Sequence, residues 1–206
     1  FDEAGKPCLH RAGNHGWRAV HDKRGHEITR SFFGLDGYPT IINQGMARFD
    51  SERDAEGNPL ATSYFGADGQ PCLHRDGNHL IRRKIDDRGR LFEGAYFGVQ
   101  GEPVIARGTH RWVAVFDKAG REIETRYYGP DGPALHAEGN HIVRRKFEDP
   151  RSGNVTEYSY FGTDERPVLI KSGFAIRRIA PEDLEETLAF FAAMTLSVFD
   201  SAVTMM

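Results

Sequence analysis

A doublet of aromatic residues followed by glycine returns at an almost fixed interval along this chain, and that interval constrains the fold more than any other feature. The stretch Tyr64-Phe65-Gly66-Ala67-Asp68-Gly69-Gln70-Pro71 has counterparts at Phe32-Phe33-Gly34, Tyr96-Phe97-Gly98, Tyr127-Tyr128-Gly129 and Tyr160-Phe161-Gly162. The glycines at 34, 66, 98, 129 and 162 are separated by 32, 32, 31 and 33 residues. A constant period of this length marks a chain built by stacking one supersecondary unit on the next. The 23 glycines and 10 prolines suit many tight turns, so the unit is expected to be β rather than helical.

Each unit divides into two strand-like runs joined by an inner turn. In the third unit the runs are His79 to Asp86 and Arg90 to Phe97. The inner turn recurs as Asp22-Lys23-Arg24-Gly25, Asp54-Ala55-Glu56-Gly57 and Asp117-Lys118-Ala119-Gly120, and lengthens to Glu148-Asp149-Pro150-Arg151-Ser152-Gly153 in the fifth unit. Asp opens such a turn by bonding its own backbone, and Gly closes it with a positive φ. If Asp86 pairs with Arg90, Arg83 faces Glu93; the same register sets Ala114 opposite Glu124 and Arg145 opposite Glu157. Trp17, Ile81, Trp112 and Val143 share one repeat position, and His21, Ile85, Phe116 and Phe147 another, four residues on and on the same face. The expected fold is therefore all-β, a tandem β-hairpin repeat array, solenoid- or spiral-like, with about 32 residues per unit. Residues 1–179 hold five to six units, with breaks near 34, 66, 98, 129 and 162.

A second rhythm overlies the first. Units one, three and five read Cys8-Leu9-His10, Cys72-Leu73-His74 and Ala134-Leu135-His136, each running on to Gly-Asn-His, whereas units two and four depart from this. Neighbouring units are thus expected to alternate in environment, for instance with two units per superhelical turn. Cys8 and Cys72 hold equivalent positions two units apart, too far for a disulfide. Residues 180–206 break the pattern: Pro181 and the acids behind it read as a helix start, and Leu184, Leu188, Phe191, Thr195, Val198 and Ala202 follow helical spacing. This C-terminal α-helix is expected to cap the array, with membrane contact through residues 184–206 as the rival reading. The chain opens at Phe1 on what reads as half a motif, and is expected to be a fragment of a longer array.

Three constellations bear on function. The histidine pairs His10/His15, His74/His79 and His136/His141 would form files of imidazoles, a known ligand type for Zn²⁺ or Cu²⁺, if odd units stack. Their bland reading is backbone bonding at loop corners. The aromatic pairs Tyr64/Phe65, Tyr96/Phe97, Tyr127/Tyr128 and Tyr160/Phe161 either line the core or offer a stacking platform to a protein or polysaccharide partner. The triplets Arg82-Arg83-Lys84 and Arg144-Arg145-Lys146 are split between two faces by strand alternation, so a nucleic-acid stripe is not favoured, and the net charge of -3 agrees. No nucleophile–base arrangement or phosphate-cradling loop appears, so no enzyme and no cofactor is expected.

Phe116-Asp117-Lys118-Ala119-Gly120-Arg121, followed by Tyr127-Tyr128-Gly129-Pro130-Asp131-Gly132, resembles the YD repeats of bacterial Rhs-type proteins. Asp86-Asp87-Arg88-Gly89-Arg90 and His21-Asp22-Lys23-Arg24-Gly25-His26 are looser copies, and the likeness runs from Phe1 to about Leu169. The unit here is longer, and the Pro-x-Leu-His insertion is foreign to that family. The resemblance implies a β-hairpin spiral or shell on secreted or surface proteins. MORN-type hairpin arrays are similar in their aromatic-glycine turns. Three functions follow as expectations: a non-catalytic binding or spacer scaffold in a larger bacterial protein, a shell or delivery segment of an Rhs-like toxin protein, or a His-rich metal-binding protein.

Overall fold

The fold was obtained as a computed structural model, which describes residues 3, 5–149 and 153–179. It is all-β: twelve strands form one open antiparallel sheet, with no helix among the described residues. Strands β1 (Gly16–His21) and β2 (Glu27–Phe33) make the first hairpin, followed by β3 (Arg48–Arg53) with β4 (Pro59–Phe65), β5 (Leu80–Ile85) with β6 (Leu91–Phe97), and β7 (Arg111–Phe116) with β8 (Glu122–Gly129). The short β9 (Gly132–Pro133) pairs only with β8. The hairpin of β10 (Ile142–Phe147) and β11 (Val155–Phe161) and the single strand β12 (Ile176–Arg178) complete the sheet, in which strands lie side by side in chain order. Residues 180–206, on which the expected terminal helix falls, lie outside the described residues. Among the described residues no helix is long and apolar enough to cross a membrane.

The inner turns close as their residues dictate. In the third unit the Gly89 amide donates to Asp86 O at 3.0 Å, and Gly89 takes φ +76. Asp86 Oδ1 accepts the amides of Arg88 and Arg90, and the Arg90 guanidinium reaches Asp86 Oδ2 at 2.6 Å. Asp22, Asp54 and Asp117 repeat this arrangement. Bonds to these carboxylates, from backbone and from the residue four places on, draw all four below the usual carboxylate range.

These turns carry a β-bulge, which corrects the expected cross-strand pairs. Ile85 faces Leu91, but the register shifts between Lys84 and Ile85, so Lys84 faces Glu93 and Arg83 faces Gly94. Val115, not Ala114, lies opposite Glu124, and Lys146, not Arg145, lies opposite Glu157. The extra residue flips everything beyond it to the other face. The ion pairs are accordingly Lys84–Glu93 at 3.1 Å and Lys146–Glu157 at 2.7 Å. Arg83 and Arg145 turn to the opposite face, where each donates to a threonine hydroxyl, Thr62 and Thr125, at 2.9 Å. The inserted residue lies on the second strand of each hairpin, at Ile28, Phe92, Ile123 and Thr156, so alternation on the first strand runs unbroken and Trp17, Ile81, Trp112 and Val143 keep the side of their strand that His21, Ile85, Phe116 and Phe147 take.

Successive hairpins are not flush. Gly16 faces Phe33, yet its counterpart Arg48 pairs with Ser31, two residues further back on β2. Leu80 pairs likewise with Ser63, Arg111 with Ala95, Ile142 with Arg126 and Ile176 with Ser159. Every junction thus slides by the same two residues, about 7 Å along the strands for about 10 Å across them, an inclination of roughly 35°. Because this step is the same at all five junctions, the expected alternation of neighbouring units does not appear in the strand ladder.

The segments between hairpins fold back over one face and supply the core. Around Tyr64, which is 1% exposed, Phe32, Ile42, Met46 and Phe49 close one cluster, with Cys72 and Ile81 packed against it. Val143, Tyr158, Tyr160 and Ile170 form another. Successive segments are also tied directly: the Asn43 amide donates to Ala12 O, Arg75 to Gln44 O and Lys171 to Glu138 O, each within 2.9 Å.

Candidate functional site

Strand alternation sends the two members of each aromatic pair to opposite faces. The first, Tyr64, Tyr96 and Tyr160 among them, is buried beneath the connecting segments, and Tyr127 is partly buried against the cluster around Tyr160. Burial pushes the phenols of Tyr64 and Tyr127 up to about 12 from an ordinary value of 10.0. The second member lies half-buried on the other face beneath a guanidinium from the neighbouring strand. Arg48 covers Phe65 at 4.2 Å, Arg82 covers Phe97 at 5.9 Å, Arg111 covers Tyr128 at 4.1 Å and Arg144 covers Phe161 at 4.4 Å. Three of these rings also take the edge of a histidine: His79 on Phe65, His110 on Phe97 and His141 on Tyr128. Composition alone gave no signal for these arginine lids, because each arises from a pairing only the register defines.

The histidines follow the same logic. His15 donates from Nδ1 to Cys8 O at 2.8 Å, His79 to Cys72 O at 3.2 Å and His141 to Tyr127 O at 2.5 Å. Among the first members, His10 Nδ1 accepts the Ala12 amide and His136 Nδ1 the Glu138 amide, while His74 Nδ1 lies 3.2 Å from the Asp76 amide nitrogen. His74 stacks on Tyr64 with centroids 4.8 Å apart and His136 on Tyr127 at 4.4 Å. Desolvation lowers the His136 pKa, and its Nε2 donates to Arg107 O at 3.1 Å. Among the described residues, no three His, Cys, Asp or Glu side chains gather in a set that could hold a metal ion. Cys8 and Cys72 are both free thiols.

The central units hold a further polar group under the connecting segments. Asp76 accepts from Arg107 Nε at 2.6 Å and lies 3.3 Å from His74 Nδ1; contact with His74 and Arg107 holds its carboxyl well below the usual range. Towards the other end of the sheet, Glu124 sits between Arg126 and Arg144 at 2.6 and 2.7 Å. Where alternation leaves Arg82 and Lys84 exposed, Arg83 between them turns inward. The cationic triplets are therefore divided between the faces and met largely by carboxylates or hydroxyls.

One surface hollow, of about 220 Å³, opens beside Phe33 and Trp17, with His15, Arg18 and Leu35 in its wall. In sequence, Ala47 holds the repeat position that gives His79, His110 and His141 to the later rings. In comparison with known proteins, the chain matches no family model and no curated relative.

Proposed function

We propose that the chain is a non-catalytic repeat scaffold, a binding or spacer segment of a larger bacterial protein, secreted or on the cell surface. In this reading residues 1–179 are tandem hairpins of a solenoid- or spiral-like array kin to YD or MORN-type repeats, and residues 180–206 a helix that closes it. The observation that carries the reading is the constant two-residue slide at every hairpin junction. A chain in which each unit touches only its neighbours sets length and presents surface, and needs no catalytic centre. The same slide favours one alternative, the shell or delivery segment of an Rhs-like protein, because strands inclined at roughly 35–45° are what curls a sheet around a lumen.

Removing residues 48–110 joins Ala47 to Arg111 in the phase that Arg48 now occupies. If the array reading holds, this variant folds cooperatively by far-UV circular dichroism and is shorter by small-angle scattering. An unfolded or aggregated product would refute modularity. Electron microscopy of the longest natural version of the chain separates rod from shell.

A further inference from the structure

One repeat position behaves against expectation. The residue two places after the turn proline is Leu9, Ile41, Leu73, Ile105, Leu135 and Leu169 in successive units, a large aliphatic in every one. All six are between 50% and 70% exposed. Scattered surface leucines need no explanation, but a row of them, one per unit along the same side of the molecule, marks an interaction surface. Burial elsewhere does not account for it, since the cores are closed by the residues on either side. Ile42 beside Ile41 and His74 beside Leu73 are the buried members.

We infer that this aliphatic row is the contact surface of a two-fold dimer of the chain. Three observations select a second copy as the occupant. First, the row has the period of the units themselves, and only a surface with the same spacing meets every position at once. Second, the area fits: on the order of 70 Å² of each side chain is open, about 400 Å² for the row. A standard interface covers about 800 Å² per partner, with an apolar centre and a more polar rim. Leu35, Tyr38 and Val99, exposed on the adjoining turns, extend the apolar centre. Third, the charges flanking the row are opposite in sign. In four connecting segments the acid of the outer turn precedes the aliphatic residue, as Asp36, Asp68, Asp131 and Asp164, while Gln100 holds that place before Ile105. A cation follows it as Arg11, Arg75 and Lys171, whereas Arg107 at the same place is already engaged by Asp76 at 2.6 Å, so the segments around Leu73 and Leu169 are the ones that carry both signs. A two-fold axis running along the row sets the acids of one copy against the cations of the other, whereas an axis across it sets like against like. The first arrangement is self-complementary, as a closed two-fold interface requires.

Sedimentation equilibrium of the 206-residue chain tests this. At high micromolar concentration the species expected has twice the chain mass of 23.2 kDa, and its dissociation constant rises with added salt. Leu73→Asp with Ile105→Asp is expected to return it to 23.2 kDa with an unchanged thermal melt, since neither side chain packs in a core. Should that variant misfold, Leu73→Ser with Ile105→Ser gives the same readout at lower cost to folding. A wild-type chain that stays at 23.2 kDa overturns the inference, as does a dimer that survives the substitutions, which would place the contact at the sheet edges. Recruitment of a monomeric chain to neutral phosphatidylcholine vesicles that the same substitutions abolish would assign the row to lipid and overturn it too. None of these outcomes bears on whether the array is modular.

Discussion

Replacing the adjacent residues Tyr64 and Phe65 one at a time separates a packing role for the aromatic pairs from a ligand platform. Tyr64 is 1% exposed, at the centre of the cluster of Phe32, Ile42, Met46 and Phe49, with His74 stacked on its ring. Tyr64→Ala empties the middle of that cluster and is expected to cost about 4 kcal/mol, within the range for deleting a buried aromatic ring. Phe65 is half-buried beneath Arg48 and the edge of His79. Its truncation forfeits roughly half a ring's transfer energy and one cation–π contact, about 2 kcal/mol together. Both sit on β4, so they report on the same cooperative unit. With a urea slope of about 2 kcal/mol/M, the midpoint falls by about 2 M for Tyr64→Ala and about 1 M for Phe65→Ala. Far-UV circular dichroism against urea reads both. Equal losses, or a greater loss at Phe65, would refute the assignment of the first aromatic to the core and the second to an arginine-covered face.

Two further outcomes are expected. Gly94→Ala should destabilise by about 1–3 kcal/mol, since a Cβ there would meet the Trp112 ring at 2.7 Å, and a urea titration measures it. Because Tyr64 and Tyr127 ionise near 12 when folded but near 10.0 when unfolded, their contribution to stability is intact below pH 10 and declines as pH rises towards 12. Absorbance at 295 nm should show tyrosines titrating late, and chemical denaturation at stepped pH should show the falling limb.

The hairpins were legible because glycine and proline punctuate the chain and two-residue alternation fills the space between. What sequence reasoning missed follows from a single inserted residue. Asp86 and Gly89 signal a turn with a bulge, but a pairing carried straight through that turn gives Arg83 to Glu93, whereas the bulge gives Lys84 to Glu93 and frees Arg83 for Thr62. The arginine lids were hidden for the same reason, since Arg48 over Phe65 depends on which residues face each other across the ladder. The histidine corners were half visible: Gly-Asn-His suggested a bonded loop residue, but the ring edge set against the next aromatic depends on the stacking of units. Glu165 takes φ +59 where Gly37, Gly69 and Gly101 stand in earlier units, so glycine punctuation fades there without the turn being lost.

The uniform slide between hairpins also bears on how such a chain can change over generations. Since each junction repeats one displacement, inserting or losing a whole hairpin moves all that follows as a block and leaves its internal contacts as they were. A gene encoding this sheet could therefore lengthen or shorten by unequal recombination in steps of one unit, each new junction already fitted to its neighbours, whereas an insertion of any other length would have to be absorbed in a turn, as the longer turn before β11 does.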